Sequence, residues 1–158
     1  MVTDTDTSII QIAINTAIDE AKHGYSTGEG GPFSAIIIKD NKIIAKAHNT
    51  VLKDKDPTCH GEINCIRKAS KVLNTYDLSD CILVTTSEPC CMCRGAILWS
   101  HIKSVIACSH LTVADKFGFN DINFEDKNNI NLTFCDEDIE NKIIEMFTDW
   151  QKNNGQLY

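Results

Sequence analysis

The sequence has 158 residues, 42% of them apolar, which suits one domain with a real core and leaves the fold class open. Its net charge of -7 opposes a nucleic acid partner, and no apolar run approaches the roughly 18–20 residues that cross a bilayer. The first residues, MVTDTDTSII, lack the basic start and apolar stretch of a secretory signal, so the 8 cysteines point to cytoplasmic thiols or metal ligands, not to a disulfide framework.

Over residues 8–22, Ile9, Ala13, Ala17 and Ala21 recur at spacing four beside Ile10, Ile14 and Ile18, which predicts a helix with one broad apolar face. In the HGYSTGEGGPF that follows, the glycines and Pro32 end it in a loop. Two β-like runs, 33–38 and 43–48, flank KDNK and predict a hairpin. Residues 49–59 read as a polar loop ending in Asp-Pro-Thr. A second helix starts near His60, with Ile63, Ile66, Ala69 and Leu73 on one face. A buried strand at 81–85, a third helix from Pro89 to about Trp99 and a short strand at 104–108 come next. That alternation predicts parallel strands and a three-layer α/β/α sandwich. From Asp115 the pattern loosens, and NDINFEDKNNINL reads as a long loop. Residues 136–150 restore a helix, with Ile139, Ile143, Phe147 and Trp150 in one stripe behind an acidic first turn. Neither repeat nor linker interrupts 1–158, which reads as a single domain.

Two short motifs carry chemistry: His60-Gly61-Glu62 and Pro89-Cys90-Cys91-Met92-Cys93, each at the start of a predicted helix. Alone, each has an ordinary reading. A histidine at a helix start is usually a cap or a surface residue. A Cys-x-x-Cys is equally a redox pair or two buried thiols. Together they say more. A helix N-terminus favours anions, so Cys90 and Cys93 are placed to ionise, and thiolates with imidazole are the ligands zinc takes. His60, Cys90 and Cys93 make three ligands. A structural zinc is normally closed by a fourth, whereas a catalytic one keeps a position for water. Glu62, beside the metal but not on it, then suits a proton shuttle. The contrary reading is a non-catalytic zinc-stabilised module, which needs a fourth protein ligand and a dispensable Glu62. His-x-Glu with Pro-Cys-x-x-Cys is the signature of the zinc nucleobase deaminases.

Further landmarks surround the signature. GGPF at 30–33, Asn49, DPT at 56–58, IRKA at 66–69, SEPC at 87–90, GAI at 95–97, Trp99, GFND at 118–121 and the terminal Leu-Tyr resemble the small bacterial guanine deaminases of the cytidine deaminase-like superfamily. The resemblance covers nearly the whole chain. It implies a mixed five-stranded sheet, one Zn2+ per site, and hydrolysis of guanine to xanthine and ammonia. It also implies Phe33 and Trp99 as walls around the base, hydrogen bonds from Asn49 and Asp121, backbone around Gly61 in the lining, and Tyr158 as a lid. It implies a homodimer as well, with the segment from about 120 to 158 crossing onto the partner subunit. The chain departs from that pattern at Gly61, where the family more often has Ala and where the missing methyl is expected to enlarge the pocket floor. It departs also at Ser87 and at Cys91, where Cys and Pro are frequent. Rival substrates are guanosine, cytosine, an aminotriazine or a tRNA adenosine. The net charge and the terminal tyrosine argue against the last.

Overall fold

The computed structural model describes residues 6–120 and 129–158. Helix α1, Thr7–Ser26, is capped by Asp6, whose carboxylate accepts the Ser8 N–H at 2.9 Å. It buries Ala13, Ile14, Ala17, Ile18 and Ala21, the face its periodicity predicts. Strands β1, Ser34–Lys39, and β2, Lys42–His48, form the expected antiparallel hairpin. Asp40 and Asn41 both take positive φ, 50° and 55°, which gives the tight turn the twist of the strands it joins.

The expected loop after β2 contains one helical turn, α2, Val51–Asp54. Then come α3, Gly61–Leu73; β3, Ile82–Thr85; α4, Cys91–Trp99; β4, Ser104–Ala107; and α5, Leu111–Lys116. Strand β5, Leu132–Phe134, and helix α6, Glu137–Lys152, complete the chain. The sheet order is β2-β1-β3-β4-β5. Strand β1 is antiparallel to both neighbours, while β3, β4 and β5 run parallel, so the five-stranded sheet is mixed as expected. Helix α2 lies inside the expected loop, and helix α5 and strand β5 lie in stretches where the sequence sets out no element.

Strand alternation sorts the core into two layers. Ile36, Ile38 and Val84 face α1 and α6, against Ala17, Ile143 and Phe147. Ala35, Ile37 and Leu83 face α3 and α4, against Cys65, Ala69 and Ile97. In α3 Glu62, Cys65 and Ala69 are buried, and Ile66 and Leu73 of the predicted stripe pack half-covered on the same core layer, while Ile63 is only partly buried. The helix is rotated so that Glu62 faces inward, a turn that hydrophobic spacing does not reveal. Helix α6 packs on α1 of the same chain, and Tyr25 donates its hydroxyl to Asp149 at 2.6 Å across that contact. Residues 121–128, which hold Asp121 and most of the expected long loop, lie outside the described residues. Among the described residues no helix is long and apolar enough to cross a membrane.

Candidate metal centre and substrate pocket

The start of β1, the end of β3 and the starts of α3 and α4 meet at one end of the central strands. His60 is the N-cap of α3 and Cys90 the N-cap of α4, both with extended backbone, so each leads its helix into the site. Cys93 follows one turn on. The Nδ1 of His60 lies 3.6 Å from Cys90 Sγ and 3.7 Å from Cys93 Sγ, and the three candidate ligand atoms all fall within 4.8 Å of one another. A tetrahedral zinc, with bonds of about 2.3 Å to sulfur and about 2.0 Å to nitrogen, sets a nitrogen–sulfur edge of about 3.5 Å. The residues fit that ion, and among the described residues no fourth His, Cys, Asp or Glu joins them.

The thiols are prepared for a cation. Cys93 donates to Cys90, and this contact, outweighing burial and aided by His60, draws Cys90 down to about 4. Cys93, as the donor and in a buried position, is pushed well above the ordinary thiol range. The pair thus shares one proton, which a metal displaces on binding. Glu62 is buried, and its carboxyl is raised above the ordinary range by that burial and then by the Cys90 charge. Its Oε2 lies 3.4 Å from Cys93 Sγ and its Oε1 3.4 Å from Thr85 Oγ1. Thr85 also donates to the Ser87 carbonyl at 3.0 Å. A carboxyl of raised proton affinity therefore sits in contact with a metal ligand without belonging to the ligand set.

Glu88 fixes the loop before Cys90. It pairs with Arg94 at 2.7 Å and accepts the Leu111 N–H at 2.9 Å, tying the start of α4 to the start of α5. Arg94 Nε also donates to the Pro89 carbonyl at 3.1 Å.

A cavity of about 340 Å³ opens beside His60, Glu62 and Cys90. Phe33, Phe119 and Tyr158 form one aromatic wall, with ring centroids 4.8 Å apart for Phe33 and Phe119 and 5.6 Å for Phe119 and Tyr158. Met92, Leu111 and Ala114 are further apolar lining, and Ser87, Asn120 and Cys91 complete much of the rest. The volume suits one small heterocycle.

The structure thus brings Phe33 and Tyr158 to the metal residues, and it does not bring Trp99. That residue is 85% exposed, because it stands two positions, or about 200°, around α4 from the fully buried Ile97. It cannot wall the pocket of its own chain. Asn49 is only 1% exposed and lies outside the lining. Its Oδ1 accepts the Val51 N–H at 3.1 Å and so holds the first turn of α2. Gly61 does not widen the pocket floor. A Cβ there would stand 2.9 Å from Ser34 Cα, so glycine is required for α3 to approach the backbone of β1. Phe119, Met92, Leu111, Ala114 and Asn120 are lining residues that the sequence does not single out, although Phe119 and Asn120 lie inside the GFND landmark.

A match to the family described as cytidine and deoxycytidylate deaminase zinc-binding region spans residues 7–109. The chain is 48% identical over 108 residues to guanine deaminase of Bacillus subtilis (strain 168), a stretch covering 68% of this chain and 69% of that protein. It is 46% identical over 93 residues to a tRNA-specific adenosine deaminase of Aquifex aeolicus (strain VF5), covering 59% of this chain and 61% of that protein. The solved structure of the Bacillus subtilis guanine deaminase superposes with a TM-score of 0.69 at 36% identity, over 94% of this chain and 97% of that one.

Proposed function

The chain belongs to the cytidine and deoxycytidylate deaminase family, and from that premise we propose that it is a zinc-dependent hydrolase converting guanine to xanthine and ammonia. The observation that carries the reading is the convergence of His60, Cys90 and Cys93 with the buried Glu62 at the mouth of an aromatic-walled cavity. Zinc held there supplies a water activated for attack at neutral pH. Glu62, as the carboxylate, takes a proton of the attacking water and delivers it to the ring nitrogen next to the amino-bearing carbon; it then takes the second proton from the hydroxyl now on that carbon and delivers it to the amine, which leaves as ammonia while the carbonyl forms. Phe33, Phe119 and Tyr158 hold the ring by stacking and edge contacts while excluding water. By the resemblance, Asp121 and the backbone around Gly61 take the hydrogen-bonding edge of the base, with Asn49, buried just outside the lining, as the further group it implies. The likeness to guanine deaminase extends past residue 109 in the structural superposition, and five of the lining residues (Leu111, Ala114, Phe119, Asn120 and Tyr158) belong to that later part.

The same reading places the enzyme in the cytoplasm, where a two-cysteine zinc site stays reduced, and makes it a homodimer. Trp99 at 85% and Leu98 at 42% exposure leave a large apolar surface at the end of α4, of the kind a second copy covers.

Ammonia release by the zinc-loaded protein decides the substrate. Guanine is expected to turn over, with cytosine, adenosine and a tRNA anticodon stem-loop inert. Turnover of the tRNA substrate with guanine inert would replace this reading by the tRNA one.

A further inference from the structure

Cys108 and Cys135 have no part in the metal site. They are the first residues beyond two adjacent parallel strands: β4 and β5 are paired through Ala107 and Phe134, and the Cys135 N–H donates to the Ala107 carbonyl at 2.9 Å. Neighbouring strands lie about 4.8 Å apart, within the roughly 4.4–6.8 Å of Cα separation a disulfide spans. Cys108 lies in the core layer between the sheet and α6, and Cys135 packs against that layer. Cys108 is buried, while Cys135 is partly open to solvent.

We propose that Cys108 and Cys135 are an oxidisable dithiol, closed by a small-molecule disulfide such as oxidised glutathione, that staples the C-terminal unit to the sheet. That unit is β5, α6 and the tail, whose last residue lines the pocket. Their surroundings set the order of events. Cys108 is buried and Cys135 is partly open to solvent, with its thiol drawn down by the neighbouring Cys108, so Cys135 is the thiol that meets the oxidant first. Cys135 attacks one sulfur of the oxidant and releases one glutathione thiolate. The Cys108 thiol, giving its proton to that thiolate, then attacks Cys135 Sγ and releases the second glutathione. Two protein thiols are oxidised to one disulfide and one glutathione disulfide is reduced to two thiols.

The test uses the zinc-loaded full-length chain, oxidised glutathione, and alkylation after quenching in denaturant and chelator. Alkylatable thiols are expected to fall from the eight of the sequence to six, with mapping that links Cys108 to Cys135 and zinc content unchanged. The apparent melting temperature is expected to rise by about 5 °C and to return with dithiothreitol. Cys135→Ser, at the partly exposed position, is expected to keep its remaining thiols and its guanine turnover through the same treatment. A Cys108–Cys135 bond between two chains fastens the same unit across a dimer and supports the staple equally. Persistence of all eight thiols, a stable glutathione adduct on Cys135 without closure, or linkage through Cys90 and Cys93 instead would overturn it.

Discussion

A carboxyl group buried against a thiol and a threonine costs stability that a solvated acid would not, so Glu62 is kept for what it does. Burial raises its proton affinity, and the Cys90 charge raises it further. That suits a group that must hold a proton between two transfers. The substitution Glu62→Gln keeps size and polarity and leaves His60, Cys90 and Cys93 untouched. Zinc is expected to remain stoichiometric by metal analysis, while guanine turnover falls at least about a hundredfold, the contribution typical of general acid–base catalysis. Turnover at the wild-type rate by the Glu62→Gln enzyme would move both proton transfers to another group.

Elements, too, are held by polar groups that periodicity does not reveal. His48, at the end of β2, lies 2.8 Å from Glu20 of α1 and 2.6 Å from Glu29 of the loop that leads to Phe33. Lys46 joins Glu20 at 3.1 Å and Lys53 joins Glu29 at 3.1 Å. Burial alone would raise Glu20, but His48 and Lys46 outweigh it, and its carboxyl lies below the ordinary 4.5. A lowered carboxylate stabilises the fold fully above its unfolded value and loses that contribution as pH falls through the folded one. Glu20→Gln is therefore expected to cost on the order of 1 kcal/mol at neutral pH, a figure reduced for screening at the open side of the cluster. The difference from wild type should close below about pH 4.5, as read by denaturant melts across pH. A gap that widened on acidification would refute the assignment. The same contrast governs what was legible in the sequence. The stripe Ile139, Ile143, Phe147 and Trp150 is buried throughout, because hydrophobic spacing alone sets the face of α6. Helix α2 has four residues and β5 three, too few for any period, and they exist because Asn49 holds the Val51 N–H and because β4 offers its free edge. The metal ligands were readable because zinc demands particular residue types at short spacing. The direction of Trp99 was not, since helix rotation is fixed by the partners of Cys93 and Ile97 in the core.

At the scale of the whole molecule, the metal residues all precede residue 109, while Phe119 and Tyr158, which close the aromatic wall, come from the last third of the chain. In the described chain Tyr158 reaches the pocket of its own sheet. Deleting Gln156 to Tyr158 removes one ring from that wall and leaves the ligands and α6 intact. We expect unchanged zinc content and circular dichroism, with kcat/KM for guanine lower by about tenfold, or ~1.4 kcal/mol, mainly through KM. Two damaged chains then report which pocket the tail serves. In a mixed dimer of Glu62→Gln and tail-deleted chains, a tail that stays on its own pocket leaves no intact site, and activity remains at the level of the tail-deleted half. A tail that crosses rebuilds one full site from the tail of the Glu62→Gln chain and the unaltered Glu62 of the other. The geometry of Tyr158 against Phe119 and Phe33 favours the first outcome, and recovery toward half of wild-type activity would establish the swapped arrangement. Trp99→Glu makes the control. It lies away from the pocket, so it is expected to shift the protein to monomers in sedimentation while zinc stays bound. Complementation that survived in such monomers would exclude any exchange of tails as its cause.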